Sequence, residues 1–411
     1  MENRRAFYVH ALEEAYEETS ERTIAKRTFR NRLDYFEEYT EEEFTKRFRL
    51  RKCTCMDILS PIESAITPST NRRTNVTPKT KLLLTLRFYA TGSFLITVAN
   101  FCGVSVPTAC RVVREVSNAI ASLSKDWVKF RDPAGMEQTL FDFYKIAKFP
   151  RVIGAIYCTH VKVQSPGGDN AEMFRNRKGY FSLNIQAVCD ANLRFQNLVA
   201  RWPGSAHDSH IFNCSRLKYQ LDTGYFKDYM ILGDSGYKQC RYMMTPLLNP
   251  QSAAERLYNE SQIRSRNTIE RTFGVSKRRF PMLSMGIRVS MDTVMAIISA
   301  CAVLHNIAIS AKDPLPPIDI EISPSQILEE PETSFRTDGD TTARTVLISD
   351  YFARLSRPAF TLYSYHIPLR VIVAALILPC FWMCFDLVFK VGSSTPCHMK
   401  IYTRQHMSAY R

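Results

Sequence analysis

Three short stretches of the 411-residue chain hold residue types that suit phosphoryl-transfer chemistry: VIGAIYCTHVKV, MILGDSGY and RNTIERTFGVSKRRF. The first two read as strands, and the second delivers Asp234 at its carboxyl end, where α/β sheets place their chemistry. The third reads as a helix carrying Glu270. A strand-end Asp and a helix Glu converging over one sheet can hold a hard divalent cation through carboxylate oxygens. The first strand carries no acid; Tyr157 stands at its middle. A phenol with a pKa of about 10 is neutral at pH 7 and cannot supply the charge a hard cation needs. Asp208, in GSAHDSHIF, is a further acid, set in the first turn of a helix.

Each acid also has a purely structural reading. Asp234 lies in GDSGY, where Asp and Gly are favoured by turn geometry alone. Glu270 has Arg266 four residues earlier, the spacing of a weak helical ion pair. Asp208 suits a helix N-terminus through the dipole. His207 and His210 flank Asp208 with no third ligand near in sequence, so they read as structural.

Basic residues surround these acids. Arg175, Arg177 and Lys178, beside Asn176 and Tyr180, form a basic and aromatic cluster between the first two strands that suits phosphate contacts. Lys277 and Arg278 add charge on the Glu270 helix and are expected to face a polyanion. The whole chain carries a formal +14, and residues 313–340 hold a net −7, so the remainder stands at +21. That balance favours DNA as a partner and makes binding salt-dependent.

The elements that position these residues follow in order. Residues 1–30 are a charged segment, and 31–130 read as a helical domain. Within it, LITVANFCGVSVPTACRVVREV has the grammar of a helix-turn-helix, with Gly103 at the turn and Ser105 as the cap of a helix bearing Arg111 and Arg114. Residues 145–311 read as three strands in a meander, a helix opened near Asp208 with Ile211 and Leu217 inward, a fourth strand, the Glu270 helix, and an apolar helix capped by Ser290. The fold class is therefore α/β, preceded by an all-α domain. The 12 cysteines show no CxxC pair, which suits reduced thiols, and the start lacks the apolar run of a secretory signal.

GAIYCTHV, FRNRKGYFSLNIQAVCD, WPGSAHDSHIF, LGDSGY, NTIERTFGVSKRRF and ACAVLHNIAI together resemble the DDE nuclease domain of PIF/Harbinger transposases and their domesticated relatives, and the likeness spans roughly residues 31–311. The resemblance implies a ribonuclease-H-like nuclease core and Mg2+- or Mn2+-dependent DNA cleavage in a nucleus. It also implies a separate Myb-like protein that supplies DNA recognition. Under it the first catalytic Asp falls on Tyr157, the second on Asp234 and the Glu on Glu270, with Asp208 as a further metal-site acid. The substituted first position implies impaired catalysis; an inactive DNA-binding or scaffolding protein is the alternative.

Beyond Ala311 the likeness stops. Residues 312–345 read as an acidic, proline-rich linker and 346–411 as a C-terminal tail, whose stretch Val371 to Phe389 is expected to be dispensable for the nuclease fold. Val371 to Phe389 is apolar but interrupted by Pro379 and Asp386, so membrane insertion competes with a tail acquired from flanking sequence.

Overall fold

The structure, a computed structural model, describes residues 33–69, 75–315 and 342–356. The 1–30 segment, residues 316–341 of the linker and the apolar stretch 371–389 lie outside the described residues.

β1 (Val152–Lys162), β2 (Ser182–Cys189) and β3 (Phe195–Pro203) form the expected antiparallel meander. β4 (Met230–Leu232) runs parallel to β1, and β5 (Met243–Met244) runs parallel to β4. The sheet order is β3-β2-β1-β4-β5, a mixed five-stranded arrangement consistent with a DDE nuclease domain. β5 has only two residues, too short to carry a periodic signal. Nearly every residue of β1 and all of β2 are buried, because both faces of these central strands are covered.

Among the described residues, six helices of seven residues or more precede the sheet: α1 (Glu41–Phe48), α2 (Lys52–Ile66), α3 (Pro78–Thr91), α4 (Leu95–Phe101), α5 (Val106–Ser122) and α6 (Pro133–Ala147). α4 and α5 meet at 97° across a short turn. Gly103 takes φ 62 there, a conformation that costs a residue without Cβ least. Ser105 accepts from the Thr108 amide and caps α5, as the sequence implies.

α7 (Asp208–Asn213) and α8 (Arg216–Asp222) follow β3, and their Ile211 and Leu217 are buried against one sheet face. α9 (Ala253–Arg279) covers the other. It begins 13 residues before Arg266, at a capping box of Ser252 and Glu255.

α10 (Met291–Ser310) is long and apolar enough to cross a membrane, yet 78% of that stretch is buried inside the protein. It is the centre of the core: Val294, Ile297 and Cys301 share one cluster with Val112, Val116 and Ile120 of α5. Helical segment and sheet therefore rest on common apolar packing. Ser290 stands at the N-cap position just before α10, but its hydroxyl pairs with the Thr293 hydroxyl at 2.9 Å and makes no backbone cap, which corrects the expected capping bond.

The same helix pins the sheet. His305 Nε2 donates to Leu193 O at 2.7 Å in the β2–β3 turn. Asn306 accepts from Phe195 N at 2.8 Å and donates to Phe195 O at 2.7 Å.

The core does not end at Ala311. Residues 342–356 return to it, with Phe352 fully buried among Phe149 and Tyr258 and Leu347 in the same cluster. The start of what reads as the C-terminal tail is core, because apolar residues beyond the linker fill space beside α9. Among the described residues the cysteines are free thiols.

Candidate functional site

β1 divides its side chains between the two layers. Tyr157, 8% exposed, belongs to the apolar cluster under α9 that includes Ile269 and Phe273. Its neighbour Cys158 faces the other layer, with Ile211, Phe212 and Tyr237. This alternation follows from the two-residue period of a strand.

On the Cys158 side lies a buried polar group. The Cys158 thiol is 3.3 Å from the Tyr237 hydroxyl. Burial pushes the Cys158 thiol well above its usual pKa, and the Asp208 and Asp234 carboxylates push it further. Tyr237 is raised in the same way, first by burial and then by Cys158, Asp208 and Asp234. Asp208 opens α7, is buried, and accepts from Asn184 Nδ2 at 3.0 Å. A close approach holds this corner together: a Cβ at Gly204 would stand 2.6 Å from Phe174 O and 2.9 Å from Ser182 O, so only glycine fits.

Asp234 is buried just beyond β4. Its Oδ1 accepts from Gly236 N at 2.9 Å, so the turn role expected from GDSGY is real. Gln262 of α9 donates to Gly233 O at 2.7 Å and fixes the chain just before the acid. Ala155 lies opposite Leu232 in the parallel β1–β4 register. Two residues further along each segment stand Tyr157 and Asp234.

Glu270 is half-buried on α9, with Ile269 and Phe273 turned into the core beside it, as expected. Its Oε1 accepts from Arg266 at 2.6 Å. The ion pair read as a competing role is thus formed. Among the described residues, no three His, Cys, Asp or Glu side chains come together in an arrangement that could hold a metal ion. Asp208 and Asp234 share the Cys158–Tyr237 neighbourhood, whereas Glu270 is matched by Arg266.

Of the basic residues, Arg111 and Arg114 are exposed on α5, and Arg177 and Lys178 are exposed in the loop before β2. Arg177 reaches the His207 ring at 2.7 Å, which ties that loop to the start of α7. Arg175 is bridged to Glu172 through two nitrogens and lies 4.4 Å over the Phe181 ring, so much of its donor capacity is spent locally. Arg278 is half-buried. Lys277 corrects an expectation: it is only 4% exposed, and its Nζ donates to Thr159 Oγ1 of β1 at 2.7 Å. Two turns beyond Glu270, it points under the helix and not toward a polyanion, because its position falls on the face that covers the sheet.

Sequence reasoning missed Cys158, Asn184, Tyr237 and the inward lysine. The alternation of VIGAIYCTHVKV holds the signal for Cys158, since adjacent strand residues face opposite layers.

Residues 156–306 match the family described as DDE superfamily endonuclease. The chain is 31% identical to HARBI1 of Rattus norvegicus, a candidate nuclease by its name, over 283 residues that cover 67% of this chain and 81% of that protein. It is 34% identical to HARBI1 of Homo sapiens over 58% of this chain and 70% of that one. It is 23% identical to the protein ALP1-like of Arabidopsis thaliana over 57% and 61%. No solved structure gives a significant match.

Proposed function

Because the chain belongs to the family of Harbinger transposase-derived DDE endonucleases, we propose that it is a nuclease-fold, DNA-binding protein whose metal-dependent phosphodiester cleavage is impaired at Tyr157. The observation that carries this reading is the phenol of Tyr157 at the middle of β1, where the resemblance implies an acid, packed in the apolar cluster beneath α9 with Ile269 and Phe273.

DDE endonucleases generally use divalent metal ions, and the resemblance of this chain to them implies Mg2+ or Mn2+. The donor set of this chain does not fit such an ion as it stands. A neutral phenol replaces one carboxylate, Glu270 is paired with Arg266, and the remaining acids are Asp208 and Asp234. No cleavage step is therefore assigned to these residues.

The DNA-binding part of the proposal rests on the +21 body and on exposed Arg111, Arg114, Arg177 and Lys178. The 97° crossing of α4 and α5, with Arg111 and Arg114 on the outer side of the second helix, supports a helix-turn-helix role. A nuclear location and a separate Myb-like partner belong to the same proposal.

The test is a nicking assay on supercoiled DNA with Mg2+ and with Mn2+. The natural chain is expected to stay near background. Tyr157→Asp is expected to cut, and Asp234→Asn in that background to abolish the gain. Cutting by the natural chain at the level of Tyr157→Asp would sink the proposal. A folded, DNA-binding Tyr157→Asp that still fails to cut favours the second reading, a DNA-binding or scaffolding protein, which the Arg266–Glu270 pair supports.

A further inference from the structure

The two most exposed aromatic side chains among the described residues stand on one closed turn. Tyr219 of α8 is 67% exposed, and Tyr225, just past the end of that helix, is 68% exposed. Backbone bonds tie the segment between them: Thr223 N donates to Tyr219 O at 3.0 Å, and Tyr225 N donates to Gln220 O at 3.0 Å. Gly224, at φ 74, lets the chain fold back in this way. The Tyr225 ring is braced as well. It meets the buried Phe226 edge-on at 5.0 Å, and Phe226 in turn packs on Phe130 at 4.8 Å. An exposed ring held in place loses little freedom on binding.

The charge beside these rings is mainly positive. Arg216, one turn before Tyr219, and Lys227, two residues after Tyr225, are exposed, and so is Arg241. Arg241 donates to Asp222 O at 3.0 Å, which keeps its guanidinium at the end of α8. Against these cations stand Asp228 and an Asp222 carboxylate already matched by Lys218 at 2.5 Å and by the Tyr242 hydroxyl at 2.6 Å. Flat rings interleaved with cations offer an unpaired nucleic-acid strand a surface for its bases and counter-charges for its phosphates. A duplex cannot use the rings in this way, because its bases already stack on one another.

We propose that Tyr219 and Tyr225, with Arg216, Lys227 and Arg241, form a stacking platform for single-stranded DNA. The choice of DNA rests on the proposed function. The platform is distinct from the residues invoked there: it precedes β4 whereas Asp234 follows that strand, and Arg111 and Arg114 belong to α5.

The experiment is fluorescence anisotropy of the full chain with a short labelled oligo(dT) and, separately, with a blunt duplex, at one fixed salt concentration. Oligo(dT) is expected to bind. Tyr219→Ala and Tyr225→Ala should each weaken that binding about tenfold, the loss expected for one stacked base, and leave duplex affinity unchanged. Tyr225→Phe keeps the ring and should bind oligo(dT) as the natural chain does, while an abasic strand should bind the natural chain more weakly than oligo(dT). Circular dichroism checks that the exposed substitutions leave folding intact. If duplex binding is absent but oligo(dT) binding still depends on the two tyrosines, the platform stands and the role of α5 falls. Absence of oligo(dT) binding overturns the proposal, and so does binding that both alanine variants leave unchanged, which would assign the exposed rings to another kind of partner. Equal losses for duplex and single strand overturn it too, because stacking on unpaired bases would then not be what the rings supply.

Discussion

Arg266 donates to Glu270 Oε1 at 2.6 Å from one turn earlier on α9, with the two side chains 12% and 26% exposed. The pair gives Glu270 a counter-charge within the protein, so any cation must compete with a guanidinium for the same oxygens. A helical pair of this kind contributes little to folding.

Arg266→Gln should therefore change stability by less than about 1 kcal/mol. In the Tyr157→Asp background it should tighten Mn2+ binding, because the freed carboxylate has no other cation bonded to it along the helix. Calorimetry with Mn2+ reads the effect. Equal affinity with and without Arg266 would show that Glu270 takes no part in metal binding.

The DNA surface makes a separate prediction. Arg111→Glu and Arg114→Glu change exposed positions three residues apart on α5, away from buried Val112 and Val113, and should leave folding intact. If both arginines contact phosphates, duplex binding weakens and the slope of log K against log salt falls in magnitude by about 2. Fluorescence anisotropy across 50 to 200 mM salt measures it. An unchanged slope moves the surface away from α5.

His305 sets a pH dependence. Full burial lowers its pKa from 6.5 to about 4, partly offset by its bond to Leu193 O. The folded state therefore favours the neutral ring, and the unfolded chain binds more protons between those values. The contribution is fully present above pH 6.5 and is lost as pH falls toward 4, on the order of 3 kcal/mol in all. His305→Gln should flatten thermal stability between pH 7 and 5. A slope identical to that of the natural chain would place the dependence on other groups.

The short helical segment at 342–356 can be tested by its largest side chain. Phe352 is fully buried between Phe149 and Tyr258, so Phe352→Ala should cost about 3–5 kcal/mol. Chemical denaturation followed by circular dichroism would show it. A loss below about 1 kcal/mol would mean that this segment adds nothing to the core.

What could be read from residues alone was what repeats. The β-branched and aromatic runs of the meander and the long stripe of α10 depend on several residues each, and both elements form where expected. What failed depends on single side chains or on distant partners. Lys277 sits in SKRRF among other cations, and nothing local distinguishes the one that turns under the helix. Phe352 joins Phe149 across some two hundred residues, which no local window can show. Asp208, Asp234 and Glu270 were legible as acids near one sheet, but the Arg266 bond and the Cys158–Tyr237 contact that define their surroundings arise only when layers pack.

Tyr157 is the position where stability and chemistry oppose each other. As a phenol it fills part of the apolar cluster with Ile269 and Phe273; as a carboxylate it would place a charge there. Tyr157→Asp should therefore lower stability by about 1–3 kcal/mol in the absence of metal. If Asp234 and the new carboxylate bind one ion, millimolar Mn2+ should recover much of that loss, since a ligand held only by the folded state stabilises it. The natural chain should show no such Mn2+ dependence. Tyr157→Phe separates packing from charge: it keeps the ring and should unfold within about 1 kcal/mol of the natural chain, with or without Mn2+. A metal-independent loss in Tyr157→Asp would show that the fold has closed over the site and that one substitution cannot reopen it.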